Sequence, residues 1–157
     1  MLSFITDSAE QTVDVGVIIA KLLKPNTAIA LCGQLGCGKT TLVKGIAAGL
    51  GIKSSLVVSP SFVLMREYKG GRLPLFHSDL YRLKDSKQVF ELGVEDYFRQ
   101  NGILVIEWAD KAEEFLPAEY LCICIFFLAK NKRRFKLKAR GERYQSLIER
   151  LTKKLNK

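Results

Sequence analysis

The 157-residue chain has one histidine, one tryptophan, four prolines, two methionines and four cysteines. A single histidine excludes a multi-histidine metal centre. The cysteines, at 32, 37, 122 and 124, fit neither a zinc-finger spacing nor a C-x-x-C redox pair. They read as small core residues of a protein in a reducing cytoplasm. Cys122 and Cys124 alternate along an expected strand and share a face. Long hydrophobic runs are missing too: Tyr120–Ala129, ten residues, is the longest apolar stretch, well short of a membrane span. Met1–Asp7 lacks the basic-then-apolar pattern of a secretory signal. No internal repeat, low-complexity tract or linker interrupts the chain, so a single domain is expected.

What is present is charge, unevenly placed. The net charge of +9 is carried almost wholly by the last thirty residues, Leu128–Lys157, with twelve Lys/Arg and two Glu; Met1–Phe127 sums to −1. Such density reads either as a contact with nucleic acid or as a solvated strand and helix with lysines turned outward. It carries few aromatics for base stacking.

Gly33-Gln34-Leu35-Gly36-Cys37-Gly38-Lys39-Thr40 fits G-x-x-x-x-G-K-[ST], the phosphate-binding loop. A short buried strand, Asn26–Cys32, precedes it and a helix, Thr41–Leu50, follows. In that setting the loop amides and the helix start, through Gly36, Cys37, Gly38, Lys39, Thr40 and Thr41, are expected to hold the phosphates of ATP. Lys39 is expected to reach the β- and γ-phosphates and the Thr40 hydroxyl to ligate Mg²⁺. In Cys37 only the backbone is needed; its thiol makes the loop open to oxidation.

The metal needs a carboxylate from the end of an apolar strand. Glu107, after Ile103-Leu104-Val105-Ile106, fits best; Asp79, after Leu75–Ser78, is the other, with a helix-cap role as its structural alternative. Ser59 and Ser61 flank Pro60 after a short strand at 56–58, where a hydroxyl could sense the γ-phosphate or simply make a turn. His77, on a hairpin strand, reads as core or surface. Trp108 adjoins Glu107 and should report nucleotide binding by fluorescence. Asn131-Lys132-Arg133-Arg134 lacks the Asp of a guanine-reading Asn-Lys-x-Asp element, so adenine is preferred.

Around these motifs the pattern predicts an edge strand at 3–6 and a helix from the Ser8 cap to Lys24 ended by Pro25. A hairpin of 62–68 and 73–78 turns at Lys69-Gly70-Gly71-Arg72. The segment 80–97 reads as mostly helical, broken near Gly93. Strands follow at 103–106, 121–128 and 135–139, with a basic helix after Gly141. The class is α/β: a P-loop NTPase-like three-layer fold with a mixed parallel and antiparallel sheet flanked by helices.

The ordered set of phosphate loop, Ser59-Pro60-Ser61-Phe62, His77-Ser78-Asp79-Leu80-Tyr81-Arg82-Leu83, Glu91-Leu92-Gly93 and Ile106-Glu107-Trp108 resembles the TsaE family. This family is the bacterial ATPase component of the machinery that makes threonylcarbamoyladenosine in tRNA. The resemblance runs from about Ser8 to Pro117 and is architectural beyond. It implies weak ATP hydrolysis alone and action with two ASKHA-related partner proteins. The modification it implies is N6-threonylcarbamoylation of adenosine 37 in tRNAs reading codons that begin with A, with hydrolysis supporting turnover of the partner complex. Carried over by position, it implies Lys39 on phosphates, Thr40 and Glu107 on Mg²⁺, Asp79 near the γ-phosphate and Thr12 near the base. Gln34, Cys37 and Ser61 stand where the family usually has Asp, Ala and Thr; none of these removes a group the mechanism needs. Two rival readings are a small-molecule kinase, for which no Arg-rich lid is found, and a nucleic-acid module with a vestigial nucleotide site.

Overall fold

The computed structural model describes residues 1–85 and 87–156. Its strands are β1 (Leu2–Thr6), β2 (Thr27–Cys32), β3 (Met65–Tyr68), β4 (Leu75–Asp79), β5 (Ile103–Glu107), β6 (Tyr120–Ala129) and β7 (Lys132–Arg140). Its α-helices are α1 (Ala9–Ala20), α2 (Lys39–Leu50), α3 (Lys87–Glu91), α4 (Val94–Phe98) and α5 (Glu142–Leu155). The seven strands form one sheet in the order β1-β7-β6-β2-β5-β4-β3. β6, β2, β5 and β4 run parallel, while β7 and β3 run against their neighbours. The expected mixed sheet is what forms.

After Thr27, β2 is apolar because both its faces are covered. Ile29 and Leu31 point into a core shared with α1, α2 and α5. Ala28 and Ala30 point into a second core, under α3, α4 and the 3-10 turns at Ala109–Phe115. The helix pair α1 and α2 packs backbone to backbone: a Cβ added to Gly16 would stand 2.5 Å from the Leu42 carbonyl oxygen, and one on Gly45 would collide with that of Val13. Their approach fixes α2, and with it the loop that α2 begins from. Ser8 caps α1 by accepting from the Gln11 amide, as expected.

Two sequence expectations fail. The 80–97 stretch breaks at Gly93 as expected, but its helix does not begin at Leu80. Asp79 accepts from the Tyr81 amide, which makes a turn, and helix starts only at Lys87; Ser86 lies outside the described residues. The 56–58 stretch is not a strand: Ser54–Leu56 is a 3-10 turn, and the Val58 backbone is held by the Tyr68 hydroxyl instead of a ladder. The first hairpin strand also begins later than expected, at Met65, because residues 61–63 turn.

Candidate phosphate-loop site

β2 ends at Cys32 and α2 begins at Lys39, so the phosphate loop spans the gap between a central strand and a helix start. Gly36 and Gly38 take positive φ, 76° and 107°, with nothing within 4 Å of the place a Cβ would occupy. Space is open there; the backbone conformation is what selects glycine. The Cys37 amide is committed to the Gln34 carbonyl at 3.1 Å, so it closes the loop's own turn. Its carbonyl accepts from Arg133 Nε at 2.9 Å, and its thiol is buried.

Lys39 is buried, and its ammonium is not idle. It donates to the Gly33 and Gln34 carbonyls at 2.7 and 2.9 Å and lies 4.2 Å from the centroid of the Trp108 ring. Neutral loop carbonyls and an aromatic face hold a charge that burial would otherwise make costly.

Opposite the loop, β4 and β5 present their last residues side by side: Asp79 and Glu107 are register partners. Both are buried. Glu107 Oε1 accepts from the Thr40 hydroxyl at 2.9 Å and from His77 Nε2 at 2.7 Å. A carboxylate only accepts, so the imidazole carries its proton on Nε2. Asp79 Oδ2 accepts from the Ser59 hydroxyl at 2.6 Å, and its Oδ1 from the Tyr81 amide at 2.9 Å. Asp79 thus holds a turn, not the start of a helix that its cap reading expected, and also lines the cleft. Trp108 follows Glu107 with φ of 58°, which turns the chain sharply away from the sheet.

These groups line a cleft of about 480 Å³ that runs from Gly36 and Lys39 across Thr40 to Asp79, Glu107 and Trp108. Ser59 and Ser61 edge it as well. Thr12 is not in this cleft. It is buried, bonded to the Thr6 hydroxyl and the Ser8 carbonyl, and borders a second recess across the loop with Gly36, Thr41, Asn131 and Arg133. Two recesses therefore flank one loop, one acidic at its far wall and one neutral to basic.

Residue reasoning alone brought Lys39, Thr40, Asp79 and Glu107 to the site, and they do converge. It left His77 and Arg133 without a place there. A buried histidine beside an acid-ended strand was visible as the H-x-D spacing of His77 and Asp79, but register with β5 is what aims it at Glu107.

Residues 6–135 match the family described as "Threonylcarbamoyl adenosine biosynthesis protein TsaE". The chain belongs to the TsaE family. Among its relatives, the tRNA threonylcarbamoyladenosine biosynthesis protein TsaE of Bacillus subtilis (strain 168) is 40% identical over 152 residues, 97% of this chain and 94% of that one. The TsaE protein of Treponema pallidum (strain Nichols) is 36% identical over 129 residues, 82% of this chain and 94% of its own. The crystal structure of Bacillus YdiB superposes with a TM-score of 0.82 at 37% identity, covering 97% of this chain and 94% of that one. The TsaE family match thus takes in the phosphate loop, both acids and the first four residues of β7.

Proposed function

We propose that this protein is a Mg²⁺-dependent ATP hydrolase serving threonylcarbamoyladenosine formation in tRNA. The observation that carries the reading is the meeting of Lys39, Thr40 and Glu107 in one cleft under a phosphate loop. Hard oxygen donors from a hydroxyl and a carboxylate, 2.9 Å apart, fit a small divalent cation. Thr40 and Glu107 would hold it, and the ion would offset charge on the β- and γ-phosphates.

The chain's own groups divide the work. Loop amides and the start of α2 bind phosphate oxygens. Lys39 exchanges its hold on the Gly33 and Gln34 carbonyls for the phosphates, so one charge-assisted set replaces another. His77 keeps the Glu107 carboxylate turned to the loop. Asp79 faces the γ-phosphate end, where it orients the attacking water. The recess bordered by Thr12, Asn131 and Arg133, across the loop from the two acids, is assigned here to the base of ATP.

Asp79 also ties the cleft to the surface. Ser59, bonded to it, sits three residues before Phe62, which is 80% exposed beside Val63 at 53%. A change at the γ-phosphate that draws Asp79 off Ser59 frees this apolar segment. That is the route by which hydrolysis supports turnover of the two ASKHA-related partners, and the segment is the partner-sensing element. Contact with tRNA falls to the basic C-terminal region. On β7, Arg134, Lys136, Lys138 and Arg140 are exposed on one face, and Lys153 and Lys154 on α5 add to the charge. Phosphate release from ATP, with and without the partners and tRNA, tests the reading. Stimulation by the complete set is expected, with loss in Glu107→Ala. Equal hydrolysis by wild type and Glu107→Ala would overturn it.

A further inference from the structure

Three of the four thiols meet where β2 runs into the phosphate loop. Cys32 is the last residue of β2 and the register partner of Cys124; Cys122 stands two residues earlier on β6, against Ala30. All three side chains are half-buried and share the sheet face of Ala28 and Ala30. Their sulfurs all lie within 4.8 Å of one another, with Cys122 and Cys124 at 3.9 Å. A scattered set of core cysteines does not do this; Cys37, buried singly at 1% exposure, is the contrasting case.

The thiols are not set up as nucleophiles. The neighbouring Cys122 thiol, with burial second, pushes the Cys32 thiol far above the usual range; burial, then the charge of Cys32, raises Cys124. Without a cation the Cys32 and Cys124 thiols hold their protons, so redox or acyl-transfer chemistry is poorly served there.

We propose that Cys32, Cys122 and Cys124 form a binding site for one thiophilic divalent cation of the Zn²⁺ class. Metal–sulfur bonds of about 2.3 Å set ligating sulfurs roughly 3.8–4.0 Å apart. One pair already has that spacing, and the outer limit of 4.8 Å closes with small side-chain rotations. Binding forms three sulfur–metal bonds and releases three thiol protons to solvent, with no change of oxidation state. Three thiolates and a divalent ion leave one negative charge. Lys136 and Lys138, register partners of Cys124 and Cys122, are exposed and stand beside it. The fourth position is left to water. Occupancy pins β2 to β6 at the root of the phosphate loop. The site stands on its own geometry and does not depend on the ATPase reading.

The test is titration of the full, reduced, nucleotide-free protein with Cd²⁺, read by sulfur-to-cadmium charge-transfer absorption and by intact mass under native conditions. One Cd²⁺ per chain is expected, competed by excess Zn²⁺, with a mass gain of one cadmium less the two protons that a divalent ion replaces. Cys122→Ser and Cys124→Ser should each weaken binding about tenfold or more, by the scale of losses at metal sites, while Cys37→Ser leaves it unchanged. Absence of the band, its survival in the Cys122→Ser/Cys124→Ser double variant, or absence of a one-cadmium adduct would each overturn the proposal. The wild-type mass measurement holds even if a serine variant fails to fold.

Discussion

The imidazole of His77 and the carboxylate of Glu107 are joined by a 2.7 Å hydrogen bond between two side chains with almost no solvent access. The accepting oxygen is the one that also accepts from Thr40. His77 Nδ1 has no partner among the described residues, so this bond is the imidazole's one polar anchor. His77 acts as a positioning residue, holding Glu107 toward the loop.

His77→Ala is therefore expected to weaken use of Mg²⁺ by roughly ten- to a hundredfold, the scale seen when a partner behind a metal ligand is removed. ATP binding without metal should change little. The measurement is a Mg²⁺ titration of the nucleotide-dependent Trp108 signal. An unaltered Mg²⁺ midpoint would deny His77 this role.

Lys39→Ala removes the cation seated on the Trp108 face. Hydrolysis should be abolished, and the Trp108 emission response to ATP should shrink with it. Lys39→Arg is the informative companion, since a planar guanidinium replaces a point charge in a space sized for an ammonium. It should stay inactive. Retained turnover in either variant would remove Lys39 from phosphate contact.

Ser59→Ala and Asp79→Asn separate two functions of one contact. Asp79→Asn should lower turnover with ATP affinity preserved. Ser59→Ala keeps Asp79 and should leave basal turnover within a few-fold, yet blunt stimulation by the partner proteins. Parallel losses of basal rate in both would show that the Ser59 link serves only hydrolysis.

Tyr144 supplies a fourth case, of stability. Its hydroxyl accepts from the Ala28 amide at 2.9 Å, which completes β2 where the ladder to β6 has not begun. Tyr144→Phe leaves a buried N–H unpaired and should cost about 1–3 kcal/mol in urea unfolding. Burial raises the Tyr144 phenol above its ordinary value of 10.0. The folded state then holds that proton more tightly than the unfolded chain does. Its contribution is complete below pH about 10 and is lost as pH rises through the folded value. Tyr144→Phe should flatten the alkaline decline; Tyr120, raised mainly by burial, keeps part of it.

Gly16→Ala addresses the helix pair. Its methyl would meet backbone atoms of Leu42, Gly45 and Ile46 within 2.7 Å, none of which can rotate aside. A loss of about 1–3 kcal/mol is expected, with a lower thermal midpoint. Nucleotide affinity should fall too, because α2 carries Lys39 and Thr40.

Local chemistry was legible in the chain and long-range register was not. The loop glycines, the Ser8 cap and the acids ending β4 and β5 announce themselves within a few residues. The strand order could not be read, since β2 lies between β5 and β6, both far along the sequence. That same blindness hid the partner of His77 and the meeting of Cys32 with Cys122 and Cys124. The cysteines were expected to be core filler, which holds for Cys37; Cys32, Cys122 and Cys124 are instead partly exposed and clustered. Helix at 80–85 was favoured by composition, yet a single carboxylate accepting from the Tyr81 amide sufficed to delay it.

Because β2 is flanked on one side by residues 103–107 and on the other by 121–124, the strand that launches the phosphate loop has no lateral support until most of the chain exists. A ribosome must have made more than three quarters of the protein before this strand acquires its second neighbour. Nascent chains stalled earlier should be unable to retain nucleotide, however intact their loop sequence.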